Sequence, residues 1–512
     1  MFLNNKINIY FYIFFLIFLI HLISHFIPFE RLSIAPDDYA HHAMIKDMNI
    51  YEIVSRWTDR PLHFIWASII YKVIGYNAQL GTYIIFISSF IPTILAFLIF
   101  KKIFKSFLTS IILSIIYLLI PNKLEVFHTV VFIHINIVMS LYLTSILCFL
   151  LFIEKIKSIF LSISIFSYCI GIFWYEAGFF LPIIFFIFLS IKNNFLKSIK
   201  LTIPFILVGI FYLIFRYTNG FGIGDNYSGR LINLDSLFFI SELFNSFFGR
   251  YMIRSIIYGL YNFINIPSTY LYFLIFLNLI LTSILYYFLS INKENYLKKN
   301  TLYLALLLIL IFLLPNMLSG KIGGRNLVIP AIGFSVFVYS FILLFKKYRN
   351  IIFLFFFIAG LTISQGNNWA QVVASRINYS ILEKMNLDKN EILNSETIII
   401  NVDSFANNIP YTLVDNEFNI LNTYYGAQAL EDWGLTAMVA YISDYKKNKV
   451  YIAYSNPVKN NKNELEFLIK YKSEYRSTKL KKIKIQNKNI YILDFFKVYK
   501  NNFNYGKYKK SE

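Results

Sequence analysis

Runs of about twenty apolar residues recur through the first two thirds of this 512-residue chain, starting with "NKINIYFYIFFLIFLIHLISHFIPF". A helix of that length rises about 30 Å, the thickness of the hydrocarbon core of a bilayer, so each run is a candidate span. Further runs lie near 79–100, 107–121, 132–153, 158–175, 178–191, 201–216, 269–290, 301–316, 327–345 and 350–365. The expectation is an all-α polytopic membrane protein with about eleven transmembrane helices, in keeping with 57% hydrophobic residues and a mean hydropathy of +0.57. The first run exceeds the core of a signal peptide and shows no small-residue cleavage site, so it reads as the first span.

The net charge of +20 is distributed in a way that explains it. Every second boundary between runs is a short basic loop: "FKKIFK", "EKIK", "IKNNFLKSIK", "INKENYLKK" and "FKKYRN". Basic loops stay in the cytoplasm, which sets the N-terminus inside. The alternate boundaries carry Asp37 and Asp38, "PNKLE", "YEAG", the segment 217–268 and "SGKIGGR", and fall outside. The positive charge is thus an orientation signal, and nucleic acid is not an expected partner. Cys148 and Cys169 sit inside apolar runs and read as small hydrophobes.

Two domains are expected: a transmembrane domain over 1–366 and a soluble, extracytoplasmic α/β domain over 367–512. In the latter, "SETIIINVDSF", "KVYIAYSN" and "KNIYILDFFKVY" are short β-rich runs, while 369–386 and 428–445 have helical character. The first outer loop, 29–78, predicts two amphipathic helices on the membrane surface, "DDYAHHAMIKDMNIYEIVSRW" and "RPLHFIWASIIYKVIGYN". The glycine-rich 217–230, "YTNGFGIGDNYSGR", lacks the strand-to-helix frame of a nucleotide loop and reads as a lid or a plain loop.

The first outer loop also holds the residues with the most chemistry. Asp37 and Asp38 have three readings. One carboxylate can be a general base; Asp37 with His41 and Asp38 with His42, at i and i+4, can hold a divalent metal; or the acids cap a helix that starts at Pro36. About twenty residues on, Arg56 and Arg60 flank "WTD" ahead of Pro61. A guanidinium there can grip phosphate with two donors or snorkel to the interface. Glu176, in "FWYEAGF", ends a span and needs a partner, either an arginine or a sugar hydroxyl. Lys321 and Arg325, around the glycines of "SGKIGGR", are further candidates for phosphate.

The order of these features resembles the GT-C membrane glycosyltransferases. A first span is followed by an outer-loop "DDY", an interfacial helix, "RPL", a second interfacial helix ending "VIGYN", and a second span. It is similar to the O-antigen glucosyltransferase II family, and more distantly to the aminoarabinose lipid A transferases and protein O-mannosyltransferases. The likeness is clearest over residues 8–105 and extends to "GRNLVIPAIGF" at 324–334. It implies an inverting enzyme of the bacterial inner membrane that moves a sugar from a polyprenyl-phosphate donor to a glycan or lipid acceptor on the outer face. Asp37 then falls on the catalytic base, Asp38 orients it or holds the acceptor, and Arg60 binds the donor phosphate with help from Arg325 and Lys321. Arg56, Glu176, His41 and His42 remain as substrate contacts, and a metal requirement stays open. An O-antigen polymerase or ligase, or a flippase for lipid-linked sugars, is the alternative.

Overall fold

A computed structural model describes residues 2–45, 48–56, 60–190, 194–219, 241, 244, 250–291, 299–318, 327–401, 423–424, 427–428, 432–443, 449–453, 458–461, 464–470, 480–486 and 489–494. In chain order the helices are α1 (Phe2–His25), α2 (Pro36–Ile45), α3 (Ile50–Arg56), α4 (Pro61–Ile74), α5 (Ala78–Phe104), α6 (Phe107–Leu119), α7 (Ile133–Lys155), α8 (Ser158–Trp174) and α9 (Leu181–Ser190). They continue as α10 (Phe195–Thr218), α11 (Arg250–Ile264), α12 (Ser268–Ile291), α13 (Lys299–Leu318), α14 (Pro330–Leu344), α15 (Arg349–Leu387), α16 (Lys389–Asn394) and α17 (Asp432–Ile442). The strands are β1 (Thr397–Asn401), β2 (Thr423–Tyr424), β3 (Ala427–Gln428), β4 (Lys449–Ala453), β5 (Val458–Asn461), β6 (Glu464–Lys470), β7 (Leu480–Gln486) and β8 (Ile490–Asp494).

Among the described residues, five helices are long and apolar enough to cross a membrane: α5, α7, α10, α12 and α15. Shorter apolar helices fall in α1, α4, α6, α8, α9 and α14. The protein is therefore a mostly helical membrane protein with a small sheet region, and the five long helices are fewer than the eleven expected spans. The chain divides into two compact units. Met1–Pro28, Met48–Ile70 and Thr82–Asn368 form one, which is helical; Phe29–Asp47, Tyr71–Gly81 and Trp369–Glu512 form the other, which holds the strands.

In the helical unit, caps mark where two apolar helices begin. Ser106 Oγ accepts the Thr109 N–H at the start of α6 (3.2 Å), and Asn194 Oδ1 accepts that of Lys197 at the start of α10 (3.0 Å). The basic ends of α5 and α7 meet in a Lys102–Glu154 ion pair. The segment expected to end a span near 365 instead continues as one helix, α15, through the predicted 369–386 helix to Leu387. Its polar stretch stays helical because its amides find partners. Gln365 and Asn278 of α12 exchange hydrogen bonds of 2.8 and 2.9 Å; Asn367 donates to the Ser255 carbonyl (2.9 Å) and Asn368 to that of Ile27 (3.1 Å). Gly366 crosses Gly259 of α11 so closely that a Cβ on either would overlap the other helix's backbone.

The segment 29–78 departs from expectation in the opposite direction. Its first amphipathic stretch is two helices, α2 and α3. The break has a local cause in a capping box: Asn49 Oδ1 accepts the Glu52 N–H (2.9 Å), and the Glu52 carboxylate accepts the Asn49 N–H (2.8 Å). α4 forms as expected, with Pro61 as its first residue.

In the second unit a six-stranded sheet runs β5-β6-β4-β1-β8, with β7 also paired to β6. β1 lies between β4 and β8 and is parallel to both, with Ile399 opposite Tyr451 and Ile492. Its sequence, "TIIIN", is buried from Ile398 to Asn401, the continuous apolar pattern of a central parallel strand. The three runs read as strands all form, and the predicted 428–445 helix is α17. Ile399, Ala453, Leu465 and Phe467 make the core.

Candidate active site

The candidate residues fall in two places, one in each unit. In the sheet-bearing unit, the strap 29–35 that leads into α2 is tied to the C-terminal half of α15. Arg376 pairs with Glu30, and the Leu32 N–H donates to Ser375 Oγ (3.3 Å). Pro36 opens α2, a position where a missing N–H costs nothing. Asp38, three residues past Ala35, turns back to accept the Ala35 N–H on Oδ2 (3.2 Å), and its Oδ1 accepts the Tyr71 hydroxyl (2.9 Å). Only 1% of Asp38 is exposed. Arg31 is buried nearby; burial pulls its guanidinium down to about 10, with the Asp38 charge working against that, so it stays charged at neutral pH. Asp38 thus caps the helix and balances a buried cation, and its lone pairs serve those neighbours. Asp37 is placed by its backbone in the first turn of α2.

One turn on, His42 is buried beneath Tyr71 and Tyr76, its ring 4.1 Å from that of Tyr76. Tyr76 stands 4.1 Å from Tyr441 of α17, and Tyr39 completes the group. Burial pushes the Tyr39 hydroxyl up to about 12, opposed by its hydrogen bond with Ser33. His41 is half-buried on α2. Among the described residues, no three His, Cys, Asp or Glu side chains come together to hold a metal ion.

In the helical unit, Arg60 precedes Pro61 and reaches Glu176, which sits in the single 3-10 turn Glu176–Gly178 after α8. Arg60 Nε donates to Oε2 (2.9 Å) and Nη2 to Oε1, a two-point grip on the carboxylate. The guanidinium also lies 5.0 Å from the centre of the Tyr175 ring. Burial pushes the Glu176 carboxyl up, but the charge and hydrogen bonds of Arg60, with Arg216 behind them, hold it below its usual range. The turn is rigid: the Tyr142 hydroxyl donates to the Tyr175 carbonyl, and a Cβ on Gly178 would overlap the Tyr142 ring. α4 docks on this corner through the parallel rings of Trp66 and Trp174 (5.4 Å) and the close pair His63 and His134 (3.8 Å).

Of the remaining candidates, Arg56 is placed only by its backbone, as the last residue of α3, while Lys321 and Arg325 lie outside the described residues. Three residues with a part in these sites were missed from sequence. Arg31 precedes the acid pair in the same loop, Tyr71 is one of many tyrosines in an apolar helix, and Arg216 ends the run of α10, its Nη1 donating to Tyr212 (3.3 Å). Only Arg31 carried a readable signal, a cation within one loop of two acids. No family model and no curated protein matches this chain.

Proposed function

We propose that the chain is an integral-membrane, inverting glycosyltransferase of GT-C type, with about eleven spans, its N-terminus in the cytoplasm and 367–512 outside. It moves a sugar from a polyprenyl-phosphate donor to a glycan or lipid acceptor. The observation that carries this reading is the division of labour within the acid pair. Asp38 is buried and bound into the start of α2, and we assign the role of base to its neighbour Asp37, whose backbone lies in the same turn. A neighbouring like charge raises the proton affinity of a carboxylate, which suits a base. The Lys102–Glu154 pair joins the ends of α5 and α7, in keeping with the assumed alternation, which puts both ends on one side.

In the proposed reaction the acceptor hydroxyl oxygen bonds to the anomeric carbon while Asp37 takes its proton. The bond from that carbon to the phosphate oxygen breaks, and the phosphate leaves with the electron pair. Arg60, held in place by Glu176, offsets the charge that develops there. A single displacement inverts the anomeric centre. The test is transfer of labelled sugar from polyprenyl-phosphate donors by the purified full chain in detergent. Asp37→Asn is expected to lose about 10²–10⁴-fold in rate with the melting temperature kept. Undiminished transfer by Asp37→Asn overturns the base, and no transfer by the folded wild-type chain from a panel of such donors overturns the reading.

A further inference from the structure

A further cluster of ionisable groups lies in the helical unit. Lys123 belongs to the short 3-10 segment Pro121–Phe127 between α6 and α7, and it is 1% exposed. Its ammonium group donates to the Leu118 carbonyl (3.2 Å) and stands 4.7 and 4.6 Å from the ring centres of Tyr117 and Phe127. Among the described residues no carboxylate pairs with it. Yet other bases crowd the same spot. His25 Nε2, fully buried on α1, donates to the same Leu118 carbonyl (3.3 Å), and its ring stacks on Phe127 (4.1 Å). His21, also fully buried, lies one turn back, its ring 5.8 Å from that of His25, and it donates to the Phe86 carbonyl (3.2 Å). The Nδ1 atoms of both histidines are buried without a hydrogen-bond partner.

Among the described residues, the other ionisable groups around this corner include Tyr117 on α6 and His128, just past the turn. α11, which packs on the turn, carries Arg254, Tyr258 and Tyr261 along its length, and α7 carries His134. Lys123 and His25 share the Leu118 carbonyl, and all three bases surround the Phe127 ring, with aromatic faces and dipoles rather than a carboxylate among the described residues around the amine. Such a site holds its amine comfortably only without the proton.

We propose that Lys123, with His25 and His21, forms a buried proton-uptake site whose protonation loosens the packing of the Pro121–Phe127 turn on α1. Burial lowers the Lys123 amine from its ordinary 10.5 to about 7. The sign follows from linkage. When the turn opens to water, the amine regains its ordinary affinity and stays protonated up to about pH 10.5; when packed, it is protonated only below about 7. Opening is therefore favoured as pH falls, by about tenfold per pH unit between pH 9 and 7.5, and levels off below about 7. The histidines, ordinarily near 6.5, add their own response only below that window.

Hydrogen exchange of the full chain in detergent tests this, read as the protection of residues 117–128 after correction for the intrinsic exchange rate. Protection in this segment is expected to rise about tenfold per pH unit from 7.5 to 9. Lys123→Met and the polar Lys123→Gln should both abolish that slope; two chemically different variants guard against one misfolding. A flat response in the unaltered chain, or the same slope in both folded variants, overturns the proposal. The outcome does not depend on the glycosyltransferase reading.

Discussion

Asp38 and Glu176 are both acids beside an arginine, yet the two regions treat them oppositely. Asp38 is sealed in, with a backbone N–H and a phenol on its oxygens and the charge of Arg31 acting on it. Glu176 is 26% exposed and gripped directly by Arg60, itself only 15% exposed. A carboxylate that accepts a backbone N–H and a phenol fixes a backbone; one gripped at two points by a guanidinium fixes another side chain and can yield it to a competing anion. The first arrangement builds a helix start, and the second positions an arginine.

The comparison breaks most easily at Asp38. Asp38→Ala leaves the Ala35 N–H and the Tyr71 hydroxyl without their acceptor and removes a charge beside buried Arg31, and a loss of about 3–5 kcal/mol is expected in thermal or denaturant unfolding of the detergent-solubilised chain. Tyr71→Phe removes one hydrogen bond to a buried charged group and should cost about 1.5–3 kcal/mol by the same measurement. Glu176→Gln should be milder, about 1 kcal/mol, because both partners reach solvent. Under the proposed function it also lowers the affinity for donor more than the affinity for acceptor, which separate titrations of the two substrates would reveal. A cost for Glu176→Gln equal to that of Asp38→Ala would erase the distinction between the sites.

The smallest expected effect concerns pH. Glu176 is held below its usual range by Arg60, so its contribution is present at neutral pH and is lost as pH falls through its ordinary value of 4.5 and below. Arg60→Gln should flatten that acid limb of the stability profile. An unchanged limb would mean that Glu176 does not depend on Arg60.

Much of the fold could be read from the chain. The apolar runs mark the helices, and "TIIIN" marks a buried central strand because nothing polar interrupts it. The break between α2 and α3 was also written locally, in Asn49 and Glu52 three residues apart, but hydrophobic periodicity outweighed that signal. The length of α15 was not legible: "SQGNNW" looks like the end of a span until Asn278 and Ser255 are known to receive its amides. The site divides in the same way. Asp37, Asp38 and Arg60 stood out as polar groups between two apolar runs, whereas the pairing of Arg60 with Glu176, 116 residues away, has no local pattern to announce it.

The crossing of Gly259 and Gly366 fixes how freely this part of the chain can change over time. Elsewhere in the bundle an altered side chain has rotamers to try, and its neighbours can lean aside. Here backbone meets backbone, with nothing between that can move. Neither position has a synonym among the other nineteen amino acids, so a change at one could be rescued only by shifting a whole helix.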